Sequence, residues 1–222
     1  MCALRIITTG DGSHSILHET LDETYHSVHG AVQESTHVFI RNGFEYRVGN
    51  NQPGGLKVLE VGFGTGLNAL LTLINAQAHA LPVHYTAIEA YPLEREVWGA
   101  LNYASDDFSA SQFQLLHHAN WGTPQAINQY FEVLKLQTRL EEATFAQRHY
   151  DIVYYDAFAP VKQPEMWRRD RLESVALAMN DEAVFVTYCA SGQLKRDLRD
   201  LGLKVESLAG PPGKREMVRA VK

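Results

Sequence analysis

The sequence has 222 residues, enough for one domain with an ordinary hydrophobic core and too few for two such domains. Its apolar fraction of 45% and charged fraction of 21% are typical of a globular soluble protein. No stretch reaches the roughly 18 uninterrupted apolar residues that a membrane span needs, so we do not expect this chain to be a membrane protein. The net charge of −6 argues against bulk attraction to nucleic acid, although it leaves room for a local basic patch.

The N-terminal residues bear on the cellular location of the protein, and the two cysteines bear on whether it has disulfides or a metal site. The segment Met1–Ile7 lacks the apolar stretch and small-residue cleavage site of a secretory signal, which predicts a cytoplasmic location. Cys2 and Cys189 cannot build a disulfide framework, and neither lies in a CxxC pair. We therefore expect two plain thiols and no metal site.

The first 52 residues do not follow an alternating strand–helix pattern, and we predict that they form an N-terminal extension. Leu4–Thr9 and Ser15–His18 flank a glycine-rich turn, which indicates a β-hairpin. A helix is predicted over Ala31–Arg41, with Asn42-Gly43 as its stop signal.

From residue 53 to residue 222, apolar runs alternate with amphipathic segments, which predicts a single Rossmann-like core continuous with the extension. The segment Ser111–Trp121 fits neither pattern. Alternation of this kind implies a doubly wound, mostly parallel α/β sheet covered on both faces. Leu203–Leu208 and Glu216–Val221, joined by a short Gly-Pro turn, predict a closing antiparallel hairpin. The predicted strands are Lys57–Val61, Val83–Glu89, Phe131–Gln137, Asp151–Tyr155 and Ala183–Tyr188, and the predicted helices are Leu67–Ala78, Leu93–Tyr103, Glu165–Met179 and Gly192–Leu201.

A glycine-rich loop follows the first strand of this core. Alternate glycines let the backbone turn tightly and approach a ligand at the helix N-terminus. The stretch Gly64–Ala69 also fits the dinucleotide pattern GxGxx(G/A), and Glu89 would bind ribose hydroxyls in either class of site. A purely structural turn is a third alternative. The residues predicted to hold the ligand here are Gly62, Phe63, Gly64, Thr65, Gly66 and Asn68.

The acidic residue before the loop favours one cofactor class. Glu60 completes the pattern ExGxGxG, which resembles the first motif of class I methyltransferases, where the carboxylate faces the positively charged methionine part of the cofactor. A dinucleotide offers no cation there, and a buried unpaired carboxylate is costly. The sequence therefore predicts S-adenosyl-L-methionine as the cofactor.

A second acidic residue ends the fourth strand of the core at the same sheet edge. Asp156 should face the transferable methyl group, where a carboxylate can orient an amine and take up its proton. Its alternative role is a helix cap or turn residue. Phe158 either stacks on an acceptor base or fills the core.

Longer motifs carry a more specific resemblance. The segments 60–68, 156–167 (DAFAPVKQPEMW) and 213–217 (GKREM), together with an N-terminal segment from Tyr25 to Phe39, resemble the methyltransferase domain of tRNA 5-methylaminomethyl-2-thiouridine biosynthesis proteins. The resemblance covers nearly the whole chain. It implies methylation of the primary amine of 5-aminomethyl(-2-thio)uridine at the tRNA wobble position, giving 5-methylaminomethyl(-2-thio)uridine.

The same resemblance assigns residues to the two substrates. Glu60, the loop glycines and Glu89 would hold the cofactor, and Asp156 would meet the amine. The resemblance assigns the remaining residues to binding of the tRNA. Their alternative roles are helix capping, packing or ordinary exposure on the surface. They are Tyr25, Ser27 and Glu34 beside the pocket, and Lys162, Lys214, Arg215 and Glu216 toward the tRNA and its phosphates.

The chain departs from this family pattern in two respects. It has no room for the flavin-dependent domain that makes the aminomethyl group, so we expect a stand-alone methyltransferase supplied by an upstream enzyme. The family's Gly-Asp near the adenine is replaced by Leu136–Arg139, which leaves Gln137 and Thr138 as candidates. A small-molecule amine methyltransferase and a non-catalytic S-adenosylmethionine sensor remain as alternative functions.

Overall fold

The computed structural model describes residues 4–50 and 54–222. Cys2 and the predicted boundary between residues 52 and 53 lie outside the described residues, and Cys189 is a buried free thiol. No helix within the described ranges is long and apolar enough to cross a membrane. The same ranges contain no group of three or more His, Cys, Asp or Glu side chains arranged to hold a metal ion.

The N-terminal part is a small antiparallel sheet followed by a long helical segment. Strands β1 (Leu4–Thr8) and β2 (His14–His18) form the predicted hairpin, and β3 (Glu23–Thr24) adds a short third strand. The helical segment, here called α1, consists of an α-helical turn, a π-helical stretch and a second α-helical turn. Its three parts are Ala31–Ser35, Thr36–Glu45 and Tyr46–Asn50.

The centre of the molecule is an eight-stranded sheet of order β10-β11-β9-β8-β4-β5-β7-β6. The inner strands β9, β8, β4, β5 and β7 pair in parallel, and each edge is closed by antiparallel pairing. The predicted closing hairpin is present as β10 and β11. The strand bounds are β4 Leu56–Val61, β5 Val83–Glu89, β6 Gln125–Asn128, β7 Phe131–Gln137, β8 Tyr150–Tyr155, β9 Met179–Thr187, β10 Lys204–Ala209 and β11 Glu216–Val221.

Helices cover both faces of this sheet, so the predicted doubly wound α/β architecture is confirmed. One apolar core packs α1, α2 and α4 against the sheet, and a second packs α5 and α6 against the opposite face. The helix bounds are α2 Leu67–Ala78, α3 Arg95–Trp98, α4 Asp107–His118, α5 Arg169–Ala178 and α6 Gly192–Asp200, with a 3₁₀ turn at Pro164–Trp167.

The predicted stop of the first helix at Asn42-Gly43 is wrong, because the helical segment continues through both residues. The glycine has a packing role instead. A Cβ atom on Gly43 would lie 3.0 Å from side-chain atoms of both Tyr154 and Val186. Only a residue without a side chain lets α1 approach strands β8 and β9 this closely.

The predicted helix over Leu93–Tyr103 is also wrong. Helix α3 ends at Trp98, and a new helix, α4, begins after Asp106 and includes most of the ambiguous segment Ser111–Trp121. The Asp106 side chain accepts a hydrogen bond from the Ser109 backbone N–H at 2.7 Å in a capping box. This local capping starts a helix where the apolar pattern is weak.

The region after β8 differs from the prediction at both ends of its helix. A 3₁₀ turn precedes extended Arg168, so α5 begins at Arg169 rather than at Glu165. Met179, the predicted end of the helix, is instead the first residue of β9, which carries a register shift relative to β8. Strand β6 was not predicted; it is a short antiparallel edge strand beside β7.

Candidate active site

The glycine loop joins β4 to α2 at the carboxyl edge of the sheet. Gly62 has φ +92°, and a Cβ atom there would lie 2.6 Å from the backbone oxygen of Asp156. Gly66 has φ +75°, and its Cβ would lie 2.8 Å from Nε2 of His117. The glycines are therefore required by close approach of neighbouring segments as well as by their backbone angles.

The loop forms one wall of a cavity of about 1340 Å³. This volume exceeds the ~300–1000 Å³ of common small-molecule sites, so the cavity can hold a cofactor together with an acceptor group. Thirteen of the side chains and glycines singled out from the sequence line it: Tyr25, Ser27, Glu34, Gly62, Phe63, Gly64, Thr65, Asn68, Glu89, Thr138, Asp156, Phe158 and Lys214.

At the cavity wall, one amide connects two carboxylates. Nδ2 of Asn68 donates to Oε1 of Glu60 at 3.0 Å and to Oδ2 of Asp156 at 2.8 Å. Glu60 is fully buried and does not itself line the cavity. Among the described residues, Oε2 of Glu60 and Oδ1 of Asn68 have no hydrogen-bond partner.

Burial dominates the protonation of both acids. Burial raises the pKa of Glu60 well above its usual value, and the charge of Asp156 raises it further. Burial, followed by the charge of Glu34, raises the pKa of Asp156 to about 7. A nearby cation stabilises the ionised form of buried carboxylates such as these. The site therefore fits a ligand that brings positive charge to this edge of the sheet.

At the end of β5, the Glu89 side chain accepts from the backbone N–H of Gly64 at 3.0 Å and from that of Tyr91 at 2.9 Å. The two bonds fix its carboxylate between the glycine loop and the next turn. Thr138 lines the cavity beside it, whereas Gln137 is exposed and does not. Of the two adenine candidates, only Thr138 is in position to touch a ligand.

An ion pair forms the opposite wall. Nζ of Lys214 lies 2.5 Å from Oε2 of Glu34 and 3.7 Å from the centre of the Tyr188 ring. Oε1 of Glu34 accepts from the backbone N–H of Ser27 at 2.9 Å. Lys214 thus faces the interior of the cavity, close enough to Asp156 for its charge to lower that residue's pKa.

The other residues assigned to the tRNA side lie outside the cavity lining. Nζ of Lys162 is 3.7 Å from Oδ2 of Asp22, whose side chain is 93% exposed at the cavity mouth. Arg215 is exposed on the turn before β11. Glu216 instead pairs with Lys195, with Nζ and Oε2 at 2.6 Å.

Aromatic rings line the entrance. Phe158 packs edge-on against Tyr25, with ring centres 5.0 Å apart, and lies 6.1 Å from the ring of His18. The backbone oxygen of Phe158 accepts from the indole N–H of Trp167 at 2.7 Å. This bond fixes the loop after β8, so that Phe158 faces the cavity rather than the core.

Comparison with known proteins identifies the class of enzyme. Residues 122–222 match a family described as S-adenosyl-L-methionine-dependent methyltransferase. The tRNA 5-methylaminomethyl-2-thiouridine biosynthesis bifunctional protein MnmC of Idiomarina loihiensis is 30% identical over 90% of this chain and 35% of its own length. MnmC of Methylobacillus flagellatus is 29% identical over 88% of this chain and 32% of its own length. The chain is an S-adenosylmethionine-dependent methyltransferase homologous to MnmC.

Solved structures agree with this relationship. MNMC2 from Aquifex aeolicus superposes with a TM-score of 0.79 at 25% identity, covering 99% of this chain and 70% of that one. The CurJ carbon methyltransferase shares the fold, with a TM-score of 0.51 at 12% identity over 86% of this chain and 55% of that one. The chain spans about a third of the length of the curated MnmC relatives. The similarity to methyltransferases over nearly the whole chain supports S-adenosylmethionine as the cofactor, rather than the dinucleotide alternative for the glycine loop.

In this MnmC homologue, three supporting residues were missed by sequence reasoning. Nε2 of His26 lies 2.6 Å from Oγ1 of Thr65, and burial lowers the pKa of His26 to about 4. Nε2 of His117 lies 3.1 Å from the backbone oxygen of Thr65. Tyr188 directly follows β9 at the carboxyl edge of the sheet. Its position at the end of a predicted strand is the one sequence signal that could have identified it. No sequence pattern indicates that either histidine contacts the glycine loop.

Proposed function

We propose that this enzyme methylates the primary amine of 5-aminomethyl(-2-thio)uridine at the tRNA wobble position, giving 5-methylaminomethyl(-2-thio)uridine. The observation that carries the proposal is the carboxylate of Asp156. It lies in the cavity beside the glycine loop, is held by Asn68 at 2.8 Å, and burial raises its pKa to about 7. A group with a pKa in this range can accept a proton near neutral pH.

S-adenosylmethionine supplies an electrophilic methyl group on a positively charged sulfur. The Asn68 amide would contact the charged methionine part, with the Glu60 carboxylate behind it at 3.0 Å adding negative charge, and Glu89 would face the ribose hydroxyls. Gly62, Gly64 and Gly66, with Phe63 and Thr65 between them, would shape the wall beside it, and Thr138 would lie near the adenine. This assignment is supported by the two unpaired buried atoms at Glu60 and Asn68.

The acceptor amine needs a free lone pair before it can attack. An alkyl amine has a pKa near 10, so most of it is protonated at neutral pH. In the proposed step, the amine nitrogen attacks the methyl carbon in line, the carbon–sulfur bond breaks, and Asp156 takes up the amine proton. Glu34, whose charge reaches Asp156, would help to attract the ammonium form into the site.

The pyrimidine would stack on the aromatic pair at the entrance. Phe158 and Tyr25 line the cavity and pack edge-on against each other, and stacking on an aromatic side chain is a common way to hold an unpaired base. Lys162 and Arg215 would contact tRNA phosphates outside the cavity. Lys214 instead acts within the cavity, because Glu34 and Tyr188 hold its ammonium there.

Further parts of the proposal follow from the substrate. An upstream activity must supply the aminomethyl group, since the proposed step starts from an existing primary amine. The tRNA substrate places the reaction in the cytoplasm. Residues 1–52 and 53–222 act as an extension and a core of one methyltransferase domain, because Glu34 and Asp156 line the same cavity.

The direct test is incubation of the enzyme with labelled S-adenosylmethionine and tRNA that carries 5-aminomethyluridine, followed by nucleoside analysis. We expect label only in 5-methylaminomethyl(-2-thio)uridine. Labelling of small amines with no labelling of this tRNA would replace the proposal with a small-molecule amine methyltransferase, which the net charge of −6 would suit. Cofactor binding without transfer to either acceptor would indicate a sensor.

A further inference from the structure

A second concave site lies across a turn from the catalytic cavity. The turn connects β10 to β11 through residues 210–215; Lys214 faces the cavity, and Pro212 lines a separate cleft of about 360 Å³. The ring of His29 packs directly against Gly213 and holds the turn between the two sites. The cleft is lined by Val32, Gln33, Thr36, His37, Arg41 and Pro212.

The cleft is rich in hydrogen-bond donors, and its lining contains no carboxylate. Arg41 is exposed and forms no ion pair with any residue in the described ranges. Nε2 of His37 donates to the backbone oxygen of Ala209 at 2.8 Å, which orients the ring and commits this donor to the backbone, so the free donors of the cleft come from the other side chains. Gln33 and Thr36 add an amide and a hydroxyl.

Three acidic residues, Asp11, Glu34 and Glu45, belong to the segments around the cleft, and none of them lines it. Asp11 accepts from the Gln33 backbone N–H at 2.9 Å and from the Ser13 hydroxyl at 2.5 Å. Glu34 points to the other side of α1, where it binds Lys214. Glu45, four positions after Arg41 on α1, is exposed and lies outside the cleft lining. Among the residues that line the cleft, Arg41 carries the guanidinium and none carries a carboxylate, which favours an anion.

We propose that this cleft binds a backbone phosphate of the RNA strand whose modified nucleotide occupies the catalytic cavity. The inference rests on the proposed function and adds the phosphate contact to it. Arg41 follows Glu34 by seven positions on α1, which is at most about 10 Å along the helix axis. A strand covers that distance within about three nucleotides. A planar guanidinium with hydroxyl and amide donors beside it matches the geometry of a phosphate.

The test compares tRNA affinity over a range of KCl concentrations for the wild type, Arg41→Ala, Arg41→Lys and the matched control Arg199→Ala. Arg199 is also an exposed helical arginine without an ion pair to a described residue, but it lies near the end of α6 and outside both sites. We expect Arg41→Ala to weaken tRNA binding about fivefold at low salt and to reduce the slope of log K against log salt by about 1. Arg41→Lys should retain most of the slope.

Binding of S-adenosylhomocysteine and methylation of the free 5-aminomethyluridine nucleoside should be unchanged in Arg41→Ala, since neither ligand reaches the cleft. Equal tRNA affinity and salt slope in Arg41→Ala and Arg199→Ala would overturn the inference while leaving the proposed function intact. Failure of the wild type to methylate the tRNA would instead remove the proposed function, and the cleft would lose its assigned ligand with it.

Discussion

Glu60 and Asp156 accept hydrogen bonds from the same nitrogen atom of Asn68, at 3.0 Å and 2.8 Å. Neither carboxylate forms a salt bridge with a described residue, and each has a raised pKa because of its burial. A cation that enters the cavity stabilises the ionised form of both. Binding of a positively charged ligand should therefore release protons, and the pH dependence of several properties follows from this pair.

The contribution of Asp156 to the stability of the ligand-free protein should be present at low pH and should be lost as the pH rises from about 4 through 7. The pKa of Asp156 is about 7 in the folded state, above its ordinary value of 3.8, so the folded state binds more protons and loses stability as pH rises. His26 and His117 have lowered pKa values and oppose this trend up to about one pH unit above the ordinary His pKa of 6.5. Because both proteins share these histidines, the thermal stability of the wild type relative to Asp156→Asn should fall as the pH rises from about 4 through 7. The exposed Asp22→Asn variant serves as control, and equal slopes in all three proteins would contradict the shifted pKa.

Asp156→Asn should lower the rate of single-turnover methylation by about 10²-fold at neutral pH, because the variant loses the carboxylate that takes up the amine proton. Its affinity for S-adenosylhomocysteine should be nearly unchanged, because the Asn side-chain oxygen can still accept the hydrogen bond from Asn68. The rate should recover partly in alkali, where more of the amine is already deprotonated. Rapid-quench measurements over pH 6 to 10 would test this. An equally low rate at every pH would leave Asp156 with a positioning role only.

Substitutions of Glu34 and of Lys214 should shift the midpoint of the pH profile of methyl transfer in opposite directions. The charge of Glu34 raises the pKa of Asp156, and the charge of Lys214 lowers it. Lys214→Met should therefore shift the midpoint of the single-turnover profile to higher pH, and Glu34→Gln should shift it to lower pH. Shifts of the same sign would show that both variants act through a general loosening of the cavity.

Gly62→Ala should abolish binding of S-adenosylhomocysteine, whereas Gly122→Ala should not. Both glycines have positive φ values, +92° and +78°, so both variants carry a backbone penalty of about 1–2 kcal/mol. Only the Cβ at position 62 would meet the Asp156 backbone, at 2.6 Å; nothing lies within 4 Å at position 122. Calorimetric titration of both variants separates the two effects. Retained binding by Gly62→Ala would show that the loop tolerates displacement.

The parallel core could be predicted from the sequence because its signals are local. Strands such as Phe131–Gln137 carry their apolar pattern within a few residues, and its predicted bounds match the structure. The errors arose where a residue serves a distant partner. Gly43 resembles a helix stop but accommodates Tyr154 and Val186, more than a hundred positions away. Helix α4 depends on a capping box at Asp106 and Ser109 rather than on an apolar face.

The same distinction holds for the candidate site. The glycine loop and Asp156 end adjacent parallel strands, so their proximity follows from topology alone. The partners of Lys214 could not be found in this way. Its ammonium was predicted to meet phosphate, yet it binds Glu34 across the cavity, because a separate N-terminal segment folds over the sheet edge. The roles assigned to these residues remain predictions.

The bond between Glu34 and Lys214 joins positions that are 180 residues apart in the chain. Contacts of such long sequence separation require closure of a large loop and form slowly relative to neighbouring helices and hairpins. The wall of the cavity would then be completed only after most of the sheet has assembled. During refolding, far-UV circular dichroism should regain its native value before the chain recovers methyl transfer to the amine, and this lag gives a kinetic measure of how late the two ends of the sequence meet.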